Sequence, residues 1–180
     1  FKSFFVRKYR LFFLFLFRLR NFALSGKPIP LKIGGILLKL SASGKDSFDY
    51  WYDKHHNGPE IKWLSNYIKP QMTFFDYTDD CGVFSLAAAA KSKEVKVYPI
   101  LSSQQAVCAF QDNIMLNNFK NIFLRKNQAA SSADIFLKEN NISKIDVIRA
   151  DARGKEIHLF RSLRELLSMA SAPLIFYKSS

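Results

Sequence analysis

Three aspartates, a threonine and a glycine crowd into one short stretch, Asp76-Tyr-Thr-Asp-Asp-Cys-Gly82. An apolar run at 73–77 precedes it, and a helical pattern follows it into the four alanines at 87–90. A strand feeding a glycine-containing turn and then a helix gathers backbone N–H groups and a helix N-terminus at the carboxyl end of the strand. Open α/β sheets bind nucleotide-like ligands at such a place. The turn 76–82 is therefore the first candidate binding segment. The other reactive side chains are less well placed. Asp46, Asp49, Asp53, His55 and His56 lie close in sequence, but adjacent histidines diverge on a helix or a strand, and no third ligand has a suitable spacing. That stretch reads as an exposed loop, and no metal is expected. Cys81 and Cys108 are the only cysteines. They show no metal-ligand spacing and form no disulfide framework, so a reducing, cytoplasmic compartment is the expectation.

The elements that must position the turn follow from periodicity. Short apolar strands are predicted at 73–77, 94–101, 121–126, 144–150 and 173–177, with helices at 84–91, 104–117, 132–140 and 156–169 between them. This alternation specifies βαβ units, and hence a doubly wound parallel sheet covered on both faces. Numbered from the strand at 73–77, the predicted order is 3-2-1-4-5, with 73–77 central. In the helix 104–117, Val107, Phe110, Ile114 and Leu116 point inward, and Cys108 reads as a small core residue. Upstream, 31–41 reads as one or two strands about a Gly34-Gly35 turn, and 60–68 as a helix ended by Pro70.

The chain has 180 residues, enough for one domain with an appendage. Its formal charge is +12, but residues 1–45 hold ten basic side chains and no acid, whereas the other 135 hold 17 basic against 15 acidic. The charge belongs to the N-terminus. The near-neutral remainder gives no expectation of specific nucleic-acid binding. Residues 4–20 form a helix candidate in which Leu11-Phe-Phe-Leu-Phe-Leu-Phe17 is bracketed by Arg7, Lys8, Arg10, Arg18 and Arg20. The run is shorter than the ~20 residues that span a bilayer. An interfacial helix on an anionic membrane fits it. A signal peptide with Ala23-Leu-Ser25 as its cleavage site and a helix packed against the domain are the alternatives. The resulting division is 1–25 (basic apolar helix), 26–57 (extension with short strands) and 58–180 (the α/β domain). The initial Phe and the stop soon after the last strand suit a truncated reading frame.

Gly58-Pro-Glu60, Ile68-Lys-Pro70, the 73–90 segment, Asp112-Asn-Ile-Met-Leu-Asn-Asn118 and Lys144-Ile-Asp-Val-Ile-Arg-Ala-Asp-Ala-Arg-Gly-Lys-Glu156 occur in that order. Together they resemble the FkbM family of class I S-adenosylmethionine-dependent methyltransferases, over roughly residues 58–178. The resemblance implies a Rossmann-like methyltransferase fold without its final antiparallel strands. It implies S-adenosylmethionine as cofactor, held by Asp76, Thr78, Asp80, Gly82, Ser102 and Asn127. It also implies transfer to a hydroxyl of a small-molecule, glycan or lipid-linked acceptor. Asp151, with Glu156 behind it, is the implied catalytic carboxylate, and helix capping is the competing role for Asp151.

The chain keeps Asp76 and Gly82 of the family pattern but departs from it at the turn glycine, at the ribose acceptor and beside the pocket. The first turn glycine is Thr78, a β-branched residue ill suited to close backbone approach. Asp79 and Asp80 replace alanine and asparagine. The ribose-binding acid is Leu101, the glutamate after Asp151 is Arg153, and the fifth strand ends on Lys178 rather than an acid. Several unmet polar contacts at ~1–3 kcal/mol each imply weak cofactor binding. Two function classes remain: an O-methyltransferase, or a non-catalytic methyltransferase-like domain acting as a membrane or interaction module.

Overall fold

The computed structural model describes residues 2–43, 46–53, 56–78, 80–101, 103–124, 137–151, 157, 160–161, 163, 167 and 172–177, with side chains from Tyr9 onward. Helix α1 (Lys2–Ala23) leads into strands β1 (Ile29–Ile33) and β2 (Ile36–Leu40), then helices α2 (Ser47–Tyr52) and α3 (Gly58–Tyr67). Strand β3 (Thr73–Thr78), helix α4 (Val83–Lys91), β4 (Lys96–Ile100), α5 (Gln104–Asn117), β5 (Val147–Asp151) and β6 (Leu174–Tyr177) follow. β1 and β2 form an antiparallel hairpin with Ile33 opposite Ile36. Gly34 and Gly35 hold positive φ in its two-residue turn, as such turns require.

The main sheet runs β4-β3-β5-β6 with every pairing parallel. The strand expected at 121–126 is reduced, among the described residues, to one parallel bridge between Ile122 and Val97 on β4. Its place beside β4 is the expected one, where Val97 donates to the Asn121 carbonyl at 3.0 Å and accepts from the Phe123 N–H at 2.8 Å. The Asn121 side-chain amide donates to the carbonyls of Ala89, Ser92 and Val95. The Asn121 side chain thus ties this segment to the end of α4 while its backbone pairs with β4.

Hydrophobic packing covers both sheet faces. Phe74, Val97 and Val147 face one cluster, whereas Phe75, Tyr98, Ile148 and Ala150 face another with Leu137, Ile145 and Leu163. The first cluster also takes in α4, the hairpin, α3 and Phe17 of α1, so it draws on all three sequence segments. Helix α4 is buried from Val83 through Ala89 and contacts β2 as well as β3 and β4. Alanine suits a helix enclosed in this way, because a methyl group lets neighbouring backbones approach closely. Two expectations are corrected. The stretch around Asp49 is not an exposed loop: it contains α2, whose Ser47, Phe48 and Tyr50 are buried, with Phe48 packed edge-on against Phe17. Cys108 is exposed rather than a core residue. The buried side of α5 is formed by Ala106, Val107, Phe110 and Asn113, and Cys108 lies on the far side.

Candidate functional site

β3 and β5 are adjacent and parallel, with Asp76 in register with Arg149 and Thr78 with Asp151. This register builds the site. The Arg149 side chain is 3% exposed and Asp76 is fully buried. Arg149 Nη1 donates to Asp76 Oδ1 at 3.0 Å, and Nη2 donates to Asp80 Oδ2 at 3.0 Å and to Asp151 Oδ2 at 2.8 Å. The guanidinium lies 3.9 Å from the centre of the Phe84 ring, the distance of a cation–π contact. The second oxygen of Asp76 accepts from Ser85 Oγ at 2.6 Å. Three carboxylates from the ends of two strands and the intervening turn thus converge on one buried cation.

The turn satisfies itself in the same way. Thr78 Oγ1 accepts from the Asp80 N–H at 3.2 Å, and Asp80 Oδ1 accepts from the Gly82 N–H at 2.6 Å. Gly82 has φ +78°, and a Cβ built on it would collide with the Phe110 ring. Its missing side chain therefore makes room for α5. Asn113 Nδ2 donates to the Cys81 carbonyl at 2.9 Å, and Asn113 Oδ1 accepts from the Ser41 N–H at 2.6 Å. The sequence Asn113…Asn117 thereby ties the turn to the hairpin: Asn117 bonds both the N–H and the carbonyl of Lys39.

Burial governs the titrating groups. Asp76 is raised above the usual carboxylate value by desolvation, against the opposing pull of Arg149. Burial alone would lower Arg149, but Asp76, Asp80 and Asp151 outweigh it and hold the guanidinium charged. Tyr50 and Cys81 are both pushed up by burial and by the nearby Asp80 charge.

Of the predicted site residues, the structure brings together Asp76, Thr78, Asp80, Gly82 and Asp151. Ser102, Asn127 and Glu156 lie outside the described residues, as do Asp79, Arg153 and Lys178. Leu101 is buried just after β4, an apolar group where the resemblance to the family implied an acid. No cluster of metal-ligating residues occurs among the described residues. Sequence reasoning missed Arg149, which organises the site. Its signal was available: β3 and β5 are apolar runs that each carry one central charge of opposite sign, and a charge in a doubly covered strand needs a partner.

No family model matches this sequence, and no curated protein sequence matches it. Solved structures do resemble it in fold. A S-adenosylmethionine-dependent methyltransferase from Agrobacterium tumefaciens superposes with a TM-score of 0.58 at 21% identity, over 86% of this chain and 54% of that one. A precorrin-6y C5,15-methyltransferase from Geobacter metallireducens gives 0.54 at 11% identity, over 67% and 62%. The fold is that of a class I methyltransferase. A precorrin-8w decarboxylase from Methanobacterium thermoautotrophicum also matches, at 0.52 and 18% identity over 68% and 61%. This chain matches only about half to three-fifths of the length of these structures, and their names cover different reactions.

Proposed function

We propose that this chain is a methyltransferase-fold domain of FkbM O-methyltransferase descent whose cofactor position is closed by its own side chains, leaving a non-catalytic domain. One observation carries the reading. Arg149 occupies the acidic cluster at the carboxyl ends of β3 and β5, bonded to Asp76, Asp80 and Asp151 together. S-adenosylmethionine presents a cationic sulfonium, a ribose diol and an amino-acid end. A guanidinium already bonds all three carboxylates of the cluster, Leu101 offers the ribose no acceptor, and the Asp80 and Gly82 N–H groups are spent within the turn. The described residues do not fit the cofactor.

One observation favours a second reading, an active O-methyltransferase for a small-molecule, glycan or lipid-linked hydroxyl. Asp151 stands at the end of β5 with its side chain 25% exposed, where a base for such an acceptor would stand. Isothermal calorimetry of the whole chain with S-adenosylmethionine separates the two. The closed-site reading expects no saturable heat in the micromolar range and no transfer of labelled methyl to hydroxyl acceptors. A micromolar Kd overturns it and restores the enzyme.

A further inference from the structure

We propose that the outward face of α1 is a docking surface for an anionic lipid bilayer, independently of what the α/β domain binds. At 100° per residue, Leu11, Phe12, Phe15, Leu19 and Phe22 fall within one arc of roughly 100°. All five are between 50% and 86% exposed. The inward arc is separately committed. Phe17 is buried against Phe48 and Trp51, Phe13 packs on Tyr52, and Arg10 bonds Asp49 at 3.1 Å. A helix on a protein surface ordinarily turns polar residues outward. This one is apolar on both sides, and its outer stripe is aromatic and leucine-rich.

Charge selects the occupant. Residues 1–45 hold ten basic side chains and no acid, and exposed Arg18 borders the apolar arc. A second copy docked through this face would bring two such basic segments together with no acid in either to offset them. An anionic bilayer offers both complements, acyl chains for the phenyl and leucyl groups and headgroups for Arg18. No helix among the described residues is long and apolar enough to cross a membrane, so α1 lies along the surface.

The test uses the whole chain and co-sedimentation with vesicles of mixed phosphatidylserine and phosphatidylcholine, or of phosphatidylcholine alone. Binding is expected to be stronger on the anionic vesicles. The variant Phe12→Ser/Phe15→Ser/Leu19→Ser/Phe22→Ser leaves the packed arc intact, and its partitioning is expected to fall by at least about tenfold. Arg18→Glu weakens binding to the anionic vesicles only. Phe15→Trp gives a readout free of any folding defect in the quadruple variant, since its fluorescence is expected to shift to the blue on adding anionic vesicles. Equal partitioning of parent and quadruple variant overturns the proposal, as does an unshifted Phe15→Trp spectrum. A parent that is dimeric without lipid, becomes monomeric in the quadruple variant and fails to sediment with vesicles assigns the face to a second copy instead.

Discussion

Arg149 is the residue on which the site depends, and its energetics are asymmetric. Desolvating a guanidinium and three carboxylates costs much of what their attraction returns, whereas deleting one partner leaves the others buried and unmet. Arg149→Met, close in shape and uncharged, is expected to lose about 3–5 kcal/mol of stability near neutral pH, measured by urea unfolding. The pH dependence of that loss has a definite sign. Burial already raises Asp76, and Arg149 is the main influence holding it down. Without Arg149 the folded-state value climbs further above the unfolded 3.8. An acid raised in this way favours the folded state at pH below its unfolded value, and that advantage is lost as pH rises through the folded value. The deficit of the variant should therefore be smallest in acid and widen toward neutrality. A deficit independent of pH would show that Asp76 does not depend on Arg149. Asp76 and Asp80 were legible in the sequence as residues of a special turn. Their occupation was not, because the cation comes from a strand about 70 residues away, and only the parallel register brings it alongside.

At the scale of elements, helix α5 ties the turn to the hairpin. Its bounds were legible to the residue, because Ser103 caps the start by accepting from the Ala106 N–H and Asn118 closes the end in the left-handed region. Its inward face was misjudged at Cys108, because that face is centred on polar Asn113 and Asn117 as much as on Val107 and Phe110. The two asparagines take up the free backbone edge of β2, a function that hydrophobic periodicity cannot reveal. Helix α2 was missed for a related reason. Six residues mixing Asp49 with aromatics read as polar loop, and they hold their helix through packing on α1 rather than through propensity. The contact of α5 with the turn rests on Gly82 beneath Phe110. Gly82→Ala is expected to cost about 2–4 kcal/mol, combining a left-handed backbone with overpacking against the ring. In a Phe110→Ala background most of the overpacking should vanish while the backbone cost remains, so a double-mutant cycle of urea midpoints separates them. Equal costs in both backgrounds would place the penalty in the backbone alone.

Across the whole molecule, the sheet order was legible because alternating strands and helices allow few arrangements. The placement of the N-terminal segment was not, since nothing local says that a hairpin will cover α4. Ile29, Leu31, Ile33, Leu38 and Leu40 are all buried in the same cluster as Phe74, Leu86 and Phe110. At about 1.5–3 kcal/mol per buried aliphatic side chain, these five contribute on the order of the 5–15 kcal/mol that separates a folded domain from its unfolded chain. Removing residues 1–42 also uncovers the side of α4 that contacts β2, and it takes Ser41 from Asn113 and Lys39 from Asn117. The shortened chain is accordingly expected to lose cooperative urea unfolding and near-ultraviolet dichroism and to bind a hydrophobic dye, while much of its helical signal persists. A sharp transition in the shortened chain, with a slope matching its smaller size, would instead make the hairpin and α1 an appendage on a self-sufficient α/β unit. Deleting α1 would disturb the core and the docking surface at once, so the vesicle experiment relies on point substitutions on the outer face of α1.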